Sequence, residues 1–313
     1  MRATAQGEYS DGNTVVSNDR KALYLGLSAV LLWSTAATAF KLALRELDVF
    51  QLVAWSVSAS ALALLAIVCW QGRQRQLWRS LRERPGYFLV LAAINPLLYY
   101  LVLLHAYALL PAQQAQTINY TWAITLALLA VPLLGQRLGR RDLLAVALGY
   151  SGVVIIATQG QPFTLQFSSL PGVALALGST LVWALYWILN TRNQGDPLVS
   201  LCLNFLLATP AAWLVCGLFS TLSTGGTTGL LAALYVGLFE MGITFALWSS
   251  ALRLTSSVAR IGNLIFLSPL FSLVFIATVL DETIHPATLV GLALIIPGVL
   301  LQQAGSTTAP REA

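Results

Sequence analysis

In a chain of 313 residues, 57% are hydrophobic and 9% are charged, where soluble domains carry about a quarter charged residues. A water-soluble protein of this size could not hide that much apolar surface, so its solvent must be lipid. The net charge of +5 does not point to nucleic acid, because the lysines and arginines are spread among short connecting segments.

The first 20 residues, MRATAQGEYSDGNTVVSNDR, are polar and lack the apolar region of a secretory signal, and a disordered tail is expected there. Ten apolar stretches of membrane-crossing length follow: 21–44, 49–70, 86–110, 112–134, 141–159, 170–190, 197–219, 228–252, 255–280 and 286–304. The breaks carry turn punctuation, as in QGRQRQLWRSLRERPG, GQRLGRRD, GQPFTLQFSSLPG, NTRNQGDP, STGGTTG and DETIHP. Alternating strands of about ten residues are absent, which argues against a membrane β-barrel. The chain thus divides into a tail (1–20), a first half (21–160), a second half (161–304) and a closing tail (305–313). With the N-terminus placed inside, 15 lysines and arginines fall in inside segments and 2, Lys41 and Arg45, fall outside. That bias predicts a multi-pass protein with both termini cytoplasmic.

Taken in order, the spans offer these candidates for a binding site. Stretch 1 holds Trp33 near its centre. Stretch 3 holds Asn95 followed by Pro96, whose missing N–H frees a backbone carbonyl that needs a partner. It also holds Tyr99, and His105 nearer the outer end, where an ordinary hydrogen bond is as good a reading as proton work. In stretch 4, Gln113, Gln116 and Tyr120 recur on one helical face, with Asn119 on the neighbouring stripe and Trp122 near mid-span. Amides in hydrocarbon need partners, so this face turns inward; the partners are either protein or substrate. Gly149, Ser151 and Gly152 in stretch 5 suit close helix packing. Stretch 6 places Trp183 and Tyr186 at mid-depth. Stretch 8 reads GLLAALYVGLFEMGITFALWSSAL from Gly229 to Leu252 and holds Glu240 at its middle, with Trp248 following. A charge at a helix centre costs about 2.5–3.5 kcal/mol on insertion scales, so Glu240 is either a neutral, hydrogen-bonded tie between helices or a carboxyl lining a wet cavity. In stretch 9, Arg260 is placed to snorkel to the cytoplasmic surface, and Asn263 lies beside Gly262. Mid-span indoles could form a flat wall for an apolar or aromatic side chain, or could simply pack. Trp70, Trp78 and Trp213 suit the interfacial belts. The cysteines, Cys69, Cys202 and Cys216, lie far apart in apolar runs and read as buried small hydrophobes without metal-ligand spacing.

The chain also repeats itself. LLAVALGYSGV (143–153) aligns with LVGLALIIPGV (289–299), and upstream at the same offset Gln136 faces Glu282. LLWSTA (31–36) resembles LVWALY (181–186), which makes Trp33 and Trp183 equivalents. At an offset of 145, one less than that of the 143–153 match, Glu240 pairs with Asn95 in the first half. With five spans per half, the second copy enters the membrane upside down, an arrangement that places a substrate near the midplane between the halves.

Together these features resemble the drug/metabolite transporter superfamily, in its ten-helix EamA-type branch, over essentially residues 21–304. The stretches GQRLGRRDLLAVALGYSGV and DETIHPATLVGLALIIPGV look like that family's junctions between helices 4 and 5 and helices 9 and 10. More narrowly, LLWSTAATA, AQTINYTW, LVWALYW and GNLIFLSPL resemble the YddG-type exporters, which expel aromatic and other neutral amino acids. The resemblance implies an all-α membrane protein of ten transmembrane helices, arranged as two inverted five-helix repeats around a central cavity in the inner membrane. It implies alternating-access export, no cofactor, and amino acids or similar small metabolites and membrane lipids as partners, with no nucleic acid and no obligate protein partner. In one place the chain departs from symmetry: helix 4 lacks the proline that SPL supplies in helix 9, so a helix break at that level is expected on one side only.

Other functions fit less well. An intramembrane hydrolase needs paired aspartates, a nucleophile with a base, or a zinc motif, and one in-span histidine with no in-span aspartate supplies none of these. No P-loop is present for direct ATP drive, and no ring of charges marks a channel filter. A scaffold needs neither inverted repeats nor polar midplane residues. Export of another amphipathic metabolite or drug stays open beside amino-acid export.

Overall fold

The computed structural model describes residues 9–135, 139–161 and 168–306, and these contain helices and no strands. In chain order the long helices are α1 (Asn18–Ala43), α2 (Val49–Trp70), α3 (Pro85–Leu109), α4 (Ala112–Leu134), α5 (Arg140–Ala157), α6 (Leu170–Asn190), α7 (Pro197–Phe219), α8 (Gly226–Leu254), α9 (Arg260–Val279) and α10 (Pro286–Ser306). All but α5 and α10 are long and apolar enough to cross a membrane, eight among the described residues. α5 opens on the charged triplet Arg140, Arg141 and Asp142, and the apolar part of α10 is the shorter Pro286–Leu301.

Local chemistry sets the helix starts. Asp48 begins α2 with a capping box: it accepts from Gln51 N at 3.0 Å while its own N–H donates to Gln51 Oε1 at 3.1 Å. Asp196 begins α7, accepting from Leu198 N and Val199 N, with Pro197 at the first helical position. Ser169 caps α6 through Gly172 N, and Gly135 ends α4 in a left-handed conformation.

Upstream, the helix that becomes α1 already starts at Tyr9. Asp19 supplies an anchor there, because its carboxylate accepts from Ser256 N at 2.7 Å, Ser256 Oγ at 2.6 Å and Thr255 Oγ1 at 3.3 Å, at the α8–α9 corner. At the other end α10 continues to Ser306, past the predicted boundary at 304. Residues 1–8, 307–313 and the Gln136 repeat match lie outside the described residues.

Four helices are interrupted near mid-span. α3 passes through a π-helical stretch, Ala93–Leu98, in which Asn95 leaves helical geometry (φ −139°, ψ 117°) just before Pro96. α8 does the same over Val236–Gly242, and Gly242 ends the stretch at φ −113°, ψ −85°. The break in α9 is a 3₁₀ turn, Asn263–Leu267, ahead of Ser268 and Pro269. α4 is also interrupted, at Tyr120 and Thr121, so the expected one-sided break is corrected. No proline is needed because the Thr121 hydroxyl bonds the Ile118 carbonyl at 2.8 Å and stabilises a tight turn.

Packing follows the breaks. The broken stretch of α3 lies against α7, and that of α8 lies against α2. The approach of α8 to α2 is close: a Cβ on Gly237 would stand 2.3 Å from the Ser56 carbonyl oxygen. α6 packs on the second half of α3 and on α4, while α1 packs on the second half of α8 and on α9. α5 and α10 run along each other on a seam of small residues. Gly152 meets Gly291 and Ile295, and Gly298 meets the Ala145 carbonyl and the Gly149 backbone nitrogen, while Gly149 itself abuts Ile124 of α4; Ser151 instead faces outward. A Cβ on Gly152 would stand 2.6 Å from the backbone oxygen of Gly291. Gly152→Ala is therefore expected to cost about 1–3 kcal/mol in a thermal unfolding assay. Gly217→Ala, whose Cβ meets nothing within 4 Å, serves as the control and should be neutral to slightly stabilising. Equal melting temperatures for the two variants would refute the seam.

One further expectation needs correction. Cys202 and Cys216 are buried, but Cys69 is exposed at the end of α2. Trp213 is half-buried, its indole N–H donating to Ser58 Oγ at 2.9 Å and its ring meeting Trp55 edge-on at 4.9 Å. Trp70 and Trp78 are exposed.

Candidate functional site

The carboxyl of Glu240 sits on the π-helical stretch of α8. Its residue is half-buried, yet Oε2 is fully enclosed and has no hydrogen-bond partner. The Tyr100 hydroxyl of α3 lies beside the carboxyl, and Tyr99, Tyr107 and Tyr120 are within its electrostatic reach. The backbone carbonyl of Glu240 accepts from the Trp33 indole N–H at 3.3 Å, and that of Phe239 accepts from the Thr244 hydroxyl. Irregular backbone at membrane depth needs such side-chain partners, since no water reaches it from the lipid side.

Around this carboxyl the aromatic side chains form one connected chain. Trp33 meets Trp248 edge-on at 5.4 Å and Phe245 at 5.1 Å, and Phe245 reaches Trp183 at 6.4 Å. Trp183 in turn contacts Tyr99 at 4.6 Å, Tyr186 at 5.5 Å and Trp187 at 6.2 Å. Trp187 stacks on Trp122 at 6.3 Å with the rings 16° apart. The indoles of the two sequence-equivalent positions, Trp33 and Trp183, are thereby joined through Phe245. Trp33, Trp122, Phe245 and Trp248 keep partial exposure, whereas Trp183, Tyr99 and Tyr186 are buried.

The amides expected to face inward do so, and their partners are protein. Asn119 Nδ2 donates to Ser179 Oγ at 2.9 Å while its Oδ1 accepts from the Tyr99 hydroxyl at 3.4 Å, so it fixes Tyr99 between α3 and α6. Gln116 Oε1 accepts from Ser272 Oγ at 2.7 Å, tying α4 to α9. Gln113 Nε2 donates to Glu282 at 2.8 Å, at the end of the bundle rather than its centre. A second polar group surrounds Tyr186. Its hydroxyl lies beside Asn95 and accepts from Asn204 Nδ2 at 3.4 Å, while Asn95 Oδ1 and Asn204 Oδ1 are buried without partners.

Not every candidate joins this assembly. Asn263 is exposed on the 3₁₀ turn of α9, and among the described residues no hydrogen bond links it to the others. His105 bonds the Leu101 carbonyl at 2.7 Å and meets Phe50 edge-on, an ordinary structural role. Four contributors escaped sequence reasoning: Tyr100, Trp187, Phe245 and Asn204. Tyr100 and Phe245 stand 145 positions apart, as do Asn95 and Glu240, so extending that offset by five residues would have found both. Asn204 has no such signal, being one amide in an apolar run.

Chemically, the arrangement joins one carboxyl with an enclosed, unpartnered oxygen to a run of aromatic faces. Such a pair recognises a cationic group next to an apolar or aromatic one: the carboxylate takes the cation, and the rings take the apolar part by area burial and edge contacts. Among the described residues, no cluster of three histidines, cysteines or acids could hold a metal.

Comparison with known proteins bears on this assembly as a whole. The model of the EamA-like transporter family matches residues 20–158 and again residues 170–302. An uncharacterized protein of Pseudomonas aeruginosa is 30% identical over 89% of this chain and 95% of its own length. The aromatic amino acid exporter YddG of Ancylobacter novellus is 24% identical over 88% of this chain and 95% of its own. An uncharacterized transporter of Archaeoglobus fulgidus is 26% identical over 92% and 98%. A solved crystal structure superposes with a TM-score of 0.66 at 22% identity, covering 92% of this chain and 99% of that one.

Proposed function

Since the chain belongs to the EamA-like transporter family, we propose that it is a ten-helix carrier that exports aromatic and other neutral amino acids across the inner membrane by alternating access. In this reading α5 and α10 complete the eight apolar helices, the two halves are inverted repeats, and both termini are cytoplasmic. The protein performs no catalysis.

One observation carries the substrate class: Glu240 stands against an aromatic chain that runs from Trp248 through Trp33, Phe245 and Trp183, its backbone carbonyl accepting from Trp33 and its enclosed carboxyl within electrostatic reach of Tyr99, which contacts Trp183. An α-amino acid with an aromatic side chain presents the matching pair, an ammonium group and a flat apolar ring. The enclosed oxygen of Glu240 accepts the ammonium, and the indoles take the ring. The buried acceptors Asn95 Oδ1 and Asn204 Oδ1 offer further hydrogen-bond positions on the repeat-related side. The interruptions in α3 and α8 suit this role, because irregular helix segments expose backbone groups where they line a site. That a relative of similar length bears the name of an aromatic amino acid exporter supports the same solute class.

Proteoliposomes decide the question. Preloaded with unlabelled phenylalanine, they should accumulate labelled phenylalanine by saturable counterflow, whereas a channel shows no counterflow and a scaffold moves nothing. Saturable counterflow of an amphipathic amine that lacks an α-carboxylate, with none of phenylalanine, would replace the substrate assignment with another metabolite or drug.

A further inference from the structure

Outside the bundle interior, a group of positive charge lies on the short helix Gln74–Glu83, which joins the end of α2 to the start of α3. Leu77 and Leu81 turn inward and pack on the core. The opposite face presents Arg75, Trp78, Arg79 and Arg82, all exposed, along an open groove of about 570 Å³ that Gln74 and Glu83 complete.

The arginines around this face are unequally compensated. Arg73 is paired with Asp196 at 2.6 Å, and Arg79 with Glu83 at 2.7 Å. Arg84 donates to the Arg192 carbonyl at 3.2 Å. Arg82 lies 5.0 Å over the Trp78 ring and, like Arg75, has no acidic partner among the described residues. Two guanidinium groups are thus left without a counter-charge beside an indole that is 56% exposed. The helix connects two membrane-length helices at their shared end, with Trp70 88% exposed at the end of α2. This places the face at headgroup depth, where amphipathic indoles are at home.

We propose that the Arg75–Trp78–Arg82 face binds the phosphate headgroups of anionic phospholipids. The planar guanidinium fork matches a phosphate with two parallel N–H···O bonds, and the indole lies between headgroup and acyl chain. An arginine near an anionic surface contributes about 1 kcal/mol, so two of them give about a thirtyfold preference over zwitterionic lipid. This site depends on the chain spanning a membrane and not on the identity of the transported solute.

The test uses the full chain in nanodiscs of phosphatidylcholine alone or doped with phosphatidylglycerol. Lipid retained per protein is read by native mass spectrometry, and the melting temperature is read in both lipids. The wild type should retain phosphatidylglycerol preferentially and melt higher in the doped discs. Arg75→Gln/Arg82→Gln should lose most of that preference, by about thirtyfold, with an unchanged melting temperature in phosphatidylcholine. Arg140→Gln/Arg141→Gln removes the same charge from another exposed site and should keep the preference. The proposal is overturned if the first double variant keeps the wild-type preference, or if the second loses as much. Failure of the phenylalanine counterflow assay leaves this result untouched.

Discussion

Glu282→Ala is expected to be among the most destabilising single changes in the molecule, at about 3 kcal/mol, and to lower the melting temperature clearly in detergent or lipid. The residue sits in the loop before α10, but it holds the corner between α3 and α4. Its carboxylate accepts from Ala112 N at 3.1 Å, Gln113 N at 3.4 Å and Gln113 Nε2 at 2.8 Å. The Gln113 side chain is 3% exposed, and its Oε1 accepts in turn from His285 N and Thr288 Oγ1, each at 2.8 Å. On the other side of the corner, Lys41 Nζ donates to the carbonyls of Tyr107 at 2.9 Å and Leu110 at 3.1 Å. A cation therefore stands at the C-terminus of α3 and an anion at the N-terminus of α4, each at the end of the helix dipole that favours it. A hydrogen bond to a charged group contributes about 1.5–3 kcal/mol, and alanine would also leave buried N–H groups unpaired. Glu282→Gln keeps an acceptor in place and should recover part of the loss. If the alanine variant melts with the wild type, the corner is held by packing alone.

This corner shows what the sequence could and could not convey. The apolar runs located nearly every helix, because a 20-residue hydrophobic stretch has few alternatives in lipid. Glu240 and Asn95 stood out by chemistry, a charge and an amide at mid-span, and both fall on interrupted helix segments. The inward turn of Gln113, Gln116 and Asn119 was legible from helical spacing. Their partners were not, because Glu282, Ser272 and Ser179 come from distant helices whose rotation the spacing does not fix. The break in α4 was invisible for a different reason: a threonine hydroxyl makes it, and threonine in a helix is usually unremarkable. Phe245 was passed over as one more apolar residue, although it joins the two tryptophan positions. Asn263 drew notice as an amide beside a glycine, but it sits on the exposed turn of α9.

Glu240→Gln should weaken binding of phenylalanine by roughly tenfold to a hundredfold at every pH, with the protein still folded and inserted. The estimate follows from losing a charge-assisted hydrogen bond of about 1.5–3 kcal/mol to the substrate ammonium. Glutamine keeps the size of the side chain and can still meet the Tyr100 hydroxyl, so the substitution isolates the charge. The backbone contact from the Trp33 indole to the carbonyl at this position is untouched. Three roles for Glu240 therefore separate cleanly. An ammonium partner predicts the uniform loss of affinity. A proton carrier predicts that substrate-for-substrate exchange survives, while the response to an imposed pH gradient disappears. A neutral tie between helices predicts little change in either, because glutamine satisfies the same neighbours. The first outcome is expected, because one carboxyl oxygen, Oε2, stays enclosed and unpartnered even though the Tyr100 hydroxyl lies beside the carboxyl, and so leaves an acceptor for the substrate ammonium. Equilibrium binding of phenylalanine across a pH series, with counterflow measured in parallel, distinguishes all three. Wild-type affinity together with a wild-type pH response would remove Glu240 from the mechanism.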